Sequence, residues 1–88
     1  MRIPLVAGNW KLNGSLASNR ELLTGIMAGL PSSGVDVMVC PPSVYLASVG
    51  EQIEGGNVLL GAQDLSAHDQ GAFTGEISGA MLADLGCT

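Results

Sequence analysis

Lys11 is the sole lysine among 88 residues, which makes its setting informative. It lies in Ala7-Gly8-Asn9-Trp10-Lys11-Leu12-Asn13-Gly14, directly after a short apolar run. Parallel α/β folds bind ligands at the carboxyl ends of their strands. An ammonium beside a carboxamide, where a strand ends and a helix is about to start, suits a phosphorylated or otherwise anionic substrate. The same residues also read as a surface lysine and a turn, because Asn-Gly is a common turn pair. The second segment of interest is Gly71-Ala72-Phe73-Thr74-Gly75-Glu76, one aromatic set among glycines. It reads either as a partner-binding loop or as a turn leading into a helix. In the latter reading Thr74 is the N-cap and Glu76 lies in the first helical turn.

Other chemistries find little support. His68 is the sole histidine, with no second ligand at helical spacing, so no metal site is expected. It sits in a polar loop beside Asp69 and reads as an exposed histidine, and no Ser/His/Asp or Cys/His constellation forms around it. Asp64, Asp69 and Glu76 read as a solvated loop face. Gly55-Gly56 begins no dinucleotide fingerprint, and no phosphate-loop lysine motif occurs. The net charge is −5, with Arg2, Lys11 and Arg20 as the only cations, so nucleic acid has no electrostatic footprint. The apolar run Ile3 to Ala7 is short and broken by Pro4, unlike a secretory signal. No stretch approaches the roughly 20 apolar residues of a membrane span. Cys40 and Cys87 lie far apart and read as small, reduced core residues of a cytosolic protein.

The elements that must position Lys11 follow from the apolar pattern. Three β-branched runs, 4–9, 35–40 and 57–62, read as strands. The second, Val35-Asp36-Val37-Met38-Val39-Cys40, is nearly continuous, as a parallel strand covered on both faces would be. Leu16, Leu22, Leu23, Ile26, Met27 and Leu30 form a helical stripe, with a capping box at Ser18 and Glu21 or a cap at Ser15, ended by Pro31 and Gly34. A second helix begins near Pro42-Ser43 and carries Leu46, Val49 and Ile53 until Gly55-Gly56. A third is expected from Ile77, Met81, Leu82 and Leu85, ended by Gly86. The polar stretch from Gln63 to Gly75 is long for a strand-to-helix connection, which usually takes about two to six residues. This alternation implies parallel strands with right-handed crossovers, and Cys87-Thr88 would enter a fourth. Charged residues make up 12% of the chain, against about 25% in average soluble proteins. That shortage fits strands buried on both faces, or surfaces covered by further chain, so the sequence reads as unfinished.

Taken together, Gly8-Asn9-Trp10-Lys11, Gly61-Ala62-Gln63, Gly71-Ala72-Phe73-Thr74-Gly75-Glu76 and Met81-Leu82-Ala83-Asp84-Leu85-Gly86 resemble the triosephosphate isomerase family, in order and with its intervals. The resemblance implies an α/β fold: a partial (β/α)8 TIM barrel, with residues 1–88 as the N-terminal part of a single barrel domain ending at the start of strand four. It also implies the interconversion of dihydroxyacetone phosphate and glyceraldehyde 3-phosphate through an enediol, in glycolysis and gluconeogenesis. No metal or cofactor is implied, the location is cytoplasmic, and the assembly is a homodimer. Asn9 and Lys11 match the family's catalytic and substrate-binding residues on strand one. Gly8 and Trp10 are read as shape and packing, and Gln63 as support for the site. Thr74 matches the tip of a loop, residues 63–76, that inserts into the neighbouring subunit and braces its Asn9–Lys11 segment. Phe73 and Gly75 belong to that interface, and Glu76 pairs with the partner.

The family's electrophilic histidine follows strand four and its glutamate base strand six, so neither is expected among these residues. His68 precedes the histidine's position and is not promoted to it. The 88-residue chain alone is therefore expected to be inactive. Asp64 stands where the family often has asparagine, and Leu12 where methionine is frequent. A non-catalytic truncated fragment or association module, using the 63–76 loop and open strand edges, is the alternative from another class. Some other phosphate-binding α/β protein would leave Gly71–Glu76 unexplained.

Overall fold

The computed structural model describes residues 3–30 and 34–88. Strand β1 (Leu5–Asn9) is followed by helix α1 (Leu16–Ala28), strand β2 (Asp36–Cys40), a 3-10 turn (Ser43–Tyr45) and helix α2 (Leu46–Ile53). Strand β3 (Val58–Leu60) and helix α3 (Gly79–Asp84) complete the order. The sheet runs β1-β2-β3 with every pairing parallel. Its register sets Asn9 opposite Cys40 and Val39 opposite Leu60, so the three carboxyl ends finish close to one level. Beyond α3 the chain returns to β3. Cys87 bridges Leu60 in parallel and the Thr88 N–H donates to the Leu60 carbonyl at 2.8 Å, as expected of a fourth strand's entry.

The α1 stripe needs a defined start, and Ser15 provides it. Its Oγ accepts from the Ser18 N–H while Ser18 Oγ accepts from the Ser15 N–H, a reciprocal box that takes Ser15 rather than the Ser18–Glu21 pair. The helix stops at Ala28, where the Gly29 N–H is shared between the Gly25 and Ile26 carbonyls. Pro31, expected to mark that end, lies outside the described residues. Pro41 and Pro42 carry no N–H, and α2 opens from them through the 3-10 turn.

Leu23, Leu46, Val49, Ile53, Val39, Val58, Leu60 and Leu82 form the buried core. Each such side chain contributes about 1.5–3 kcal/mol on burial, and helices this short hold through packing rather than propensity. Strand alternation sends Val39 into this core and Met38 and Cys40 to the opposite face.

Two expectations are corrected. All five β1 residues are exposed, Leu5 at 55% and Val6 at 58%, so of the two readings of the low charge, burial on both faces fails for that strand and a surface for further chain to cover is the one it fits. The cause is that the core is built over β2 and β3 and takes in no side chain of β1. Thr74 is not the cap of α3. Ser78 is, its Oγ accepting from the Met81 N–H at 3.2 Å, and Glu76 lies before the helix. The turn at Thr74-Gly75, where Gly75 has φ 89°, separates Thr74 from that helix. Of the expected α3 stripe, Leu82 reaches the core and Ile77 packs against it, while Met81 and Leu85 stay exposed.

Candidate functional site at the strand ends

Where β1 stops, the Trp10 N–H makes one more ladder bond, to the Cys40 carbonyl at 3.1 Å. The backbone then turns sharply. Lys11 adopts φ 55°, a left-handed conformation that a residue with a Cβ takes at a cost of about 1–2 kcal/mol. Side chains from several elements hold it there. Asn9 Oδ1 accepts from the Lys11 N–H at 2.8 Å, closing an Asx turn around Trp10. From the end of β3, Gln63 Nε2 donates to the Lys11 carbonyl at 2.9 Å and to the Cys40 carbonyl at 3.0 Å. Asn13 Nδ2 donates to the Trp10 carbonyl at 2.9 Å, and the Tyr45 hydroxyl donates to the Gly14 carbonyl at 3.1 Å.

These bonds assign the polar atoms. Asn9 Oδ1 is committed to the Lys11 N–H, so the hydrogen bond that Asn9 can give a ligand comes from Nδ2. Lys11 is exposed at the strand ends, and among the described residues the remaining cation, Arg20, belongs to α1. The half-buried Trp10 packs against the core and anchors the turn between them. A carboxamide donor and an ammonium held in one strained turn can bind an oxyanion and stabilise charge that develops on it. A depression of about 450 Å³ lined by Asn9, Trp10, Asn13 and Asn19 adjoins the turn. The larger cleft, about 530 Å³ between α1 and α2, lies away from Asn9 and Lys11, with Arg20, Thr24 and Gln52 in its wall.

The 63–76 loop begins at the same strand ends and folds back on itself. The Ser66 N–H donates to the Ile77 carbonyl at 2.7 Å, and Ser66 Oγ donates to Glu76 Oε1 at 2.6 Å. The Glu76 N–H donates to the Phe73 carbonyl at 3.0 Å across a turn with Thr74 at its tip. That turn has a glycine with positive φ at its third position, Gly75, as type II turns require. Thr74 and Glu76 are exposed, and His68 is stacked on Phe73 rather than gathered with Lys11. Among the described residues no three His, Cys, Asp or Glu side chains converge as a metal site would need.

The structure thus brings Asn9, Lys11 and Gln63 together and keeps Phe73, Thr74, Gly75 and Glu76 on a separate protrusion. Asn13 and Tyr45 were not anticipated. Asn13 belongs to the Asn-Gly turn, where its side chain bonds locally, but Tyr45 joins Gly14 across 31 positions and carries no local signal.

The family model for triosephosphate isomerase matches residues 4–88, nearly the whole chain. The chain belongs to the triosephosphate isomerase family. A triosephosphate isomerase of Albidiferax ferrireducens is 56% identical over 86 residues, covering 98% of this chain and 35% of that protein. Triosephosphate isomerases of Shewanella sp. (strain ANA-3) and Shewanella oneidensis are each 49% identical over 94 aligned positions, covering 99% of this chain and 36% of theirs. The chain therefore spans about a third of the length of the curated relatives it matches. The family's fold is the (β/α)8 barrel, and three parallel strands alternating with helices form part of it. No helix among the described residues is long and apolar enough to cross a membrane.

Proposed function

We propose that residues 1–88 are the first three βα units of a single barrel domain and that the complete protein is a triosephosphate isomerase. It interconverts dihydroxyacetone phosphate and glyceraldehyde 3-phosphate through an enediol, in glycolysis and gluconeogenesis, in the cytoplasm, without metal or cofactor. The observation that carries this reading is the Asn9–Lys11 turn. A lysine in a left-handed backbone, fixed by Asn9 Oδ1 and Gln63 Nε2 at the carboxyl ends of parallel strands, occurs in a chain of this family.

In this role Lys11 supplies positive charge to the substrate phosphate and to the oxyanion of the enediol, and Asn9 orients the substrate oxygens through Nδ2. Neither removes the carbon-bound proton. An ammonium offers donors and no acceptor, and a carboxamide is no base, so proton transfer belongs to other groups of the complete barrel and residues 1–88 alone do not turn over. Phe73, Thr74, Gly75 and Glu76 form the tip that docks on a second subunit and braces its Asn9–Lys11 turn, making the working unit a homodimer.

The test is Lys11→Ala in the full-length protein, followed in a coupled isomerase assay. Loss of a single oxyanion-stabilising group typically costs about 10²–10³-fold in turnover, and at least that loss is expected here. A near-normal rate would remove Lys11 from the reaction. A second reading, a non-catalytic association module, draws on the exposed Leu5 and Val6 of β1. Isomerase activity of the full-length protein that depends on Lys11 would reject it.

A further inference from the structure

The tip of the 63–76 loop contains an aromatic stack that the reading above leaves unused. The His68 and Phe73 rings lie face to face, with centroids 3.9 Å apart and planes 3° from parallel. One ring belongs to the outgoing arm of the loop and the other to the returning arm, immediately before Thr74. Gly71 makes room for the Phe73 ring. A Cβ there would stand 2.9 Å from Phe73 Cε2 and 3.2 Å from Cδ2, and its φ of 134° strains any residue with a side chain. At the base, the His68 N–H donates to Ser66 Oγ at 3.1 Å, and that hydroxyl donates to Glu76 Oε1. The loop is thus tied at both levels within one chain, by Ser66 below and by the stack above.

We propose that His68 is a positioning residue: stacked on Phe73 over the side-chain-free Gly71, it presets the turn that presents Thr74, so the loop docks already shaped. This rests on the reading of the loop as the subunit interface. The physical reason is preorganisation. A flexible tip would have to be ordered at the moment of docking, whereas a stacked pair orders it beforehand. Planarity is the operative property of His68, since a flat ring covers the Phe73 face in parallel at 3.9 Å and a branched aliphatic side chain packs there without that overlap.

The experiment uses the full-length isomerase that carries this segment, with the dimer dissociation constant measured by sedimentation. His68→Leu is expected to weaken the dimer about tenfold, equal to about 1.4 kcal/mol. His68→Phe, which restores a flat ring, is expected to stay within about twofold of the parent, from the same relation. A His68→Phe dimer as weak as His68→Leu, or a His68→Leu dimer as tight as the parent, overturns the proposal.

Thr74→Arg separates this from the interface reading. If Thr74→Arg leaves the dimer intact, the interface reading falls and takes the proposal with it, whereas monomers from Thr74→Arg alongside a His68→Leu dimer as tight as the parent overturn the proposal alone. If Thr74→Arg yields monomers, the His68 ring protons, identified by their loss in His68→Phe, must keep the upfield shift of a stacked ring in those monomers. Unshifted protons would mean that the stack forms only on docking, and the proposal would be wrong.

Discussion

Gln63→Leu offers the sharpest probe of how the Lys11 turn is held. The substitution keeps a side chain of similar size and removes two hydrogen bonds, to the Lys11 carbonyl at 2.9 Å and the Cys40 carbonyl at 3.0 Å. Both bonds lie at the exposed strand ends, where water can reach the Lys11 carbonyl and the Cys40 carbonyl keeps the Trp10 N–H, so each bond contributes about 0.5–1 kcal/mol, the lower half of the usual range. Lys11 meanwhile holds a left-handed backbone that relaxes once its restraint weakens. If the resulting loss of about 1–2 kcal/mol falls on the transition state, kcat/KM drops about 5- to 30-fold. The assay is coupled steady-state kinetics on the full-length enzyme, with thermal unfolding measured alongside. A role in placing Lys11 predicts that kcat falls more than KM rises, since the oxyanion develops after binding. A lower Tm with kcat/KM unchanged within about twofold, well short of that range, would refute it and leave Gln63 as a structural tie between β2, β3 and the turn.

Other consequences can be measured directly. Gly61→Ala places a Cβ 2.7 Å from Met38 Sδ and 2.8 Å from Cys40 Sγ, so overpacking is expected to destabilise the full-length protein by about 1–3 kcal/mol in urea unfolding. An unchanged midpoint would mean that both sulfurs move aside freely. Cys87 has its thiol pKa raised, chiefly by burial and secondarily by the nearby Cys40. Its alkylation by iodoacetamide at mildly alkaline pH should therefore lag that of an unhindered thiol, as read by peptide mass spectrometry, and equal rates would contradict the burial. Because the folded pKa is the higher one, the thiol form's contribution to stability is complete below the unfolded value and is lost as pH rises through the folded value, an alkaline loss.

Much of this architecture was legible because the chain is locally consistent. The three apolar runs became β1, β2 and β3 within a residue or two at each end, and the Leu16–Leu30 stripe became α1. The long polar stretch after β3 stayed a loop, and Cys87 joined the sheet as its position suggested. What could not be read was set by competition or by distance. Thr74 and Ser78 are both capable caps, and the choice fell to Ser78 because Gly75 turns the chain between them. The exposure of β1 follows from where the helices pack, over β2 and β3, which no run of residues encodes by itself. At the site, the Asn9–Lys11 pairing was visible as spacing, whereas the left-handed Lys11 and its ties to Gln63 arise only when strand ends are brought level. The stack of His68 on Phe73 was missed for a similar reason, since two aromatic residues five apart in a loop carry no periodic signal.

The sheet order β1-β2-β3 repeats the order of synthesis, and this bears on how the chain is made. Each strand, on leaving the ribosome, meets its neighbour already waiting, so assembly proceeds by addition at one moving edge and never requires an insertion between strands in place. The closures this involves are between consecutive units and remain short, which favours early pairing over collapse into misordered sheets. The Cys87 bridge to Leu60 continues that order on the far side of β3. The β1 edge, by contrast, must wait unpaired throughout this growth. That edge, with Leu5 and Val6 open to solvent, is therefore where a stalled or truncated translation product would be captured by chaperones or by another nascent chain.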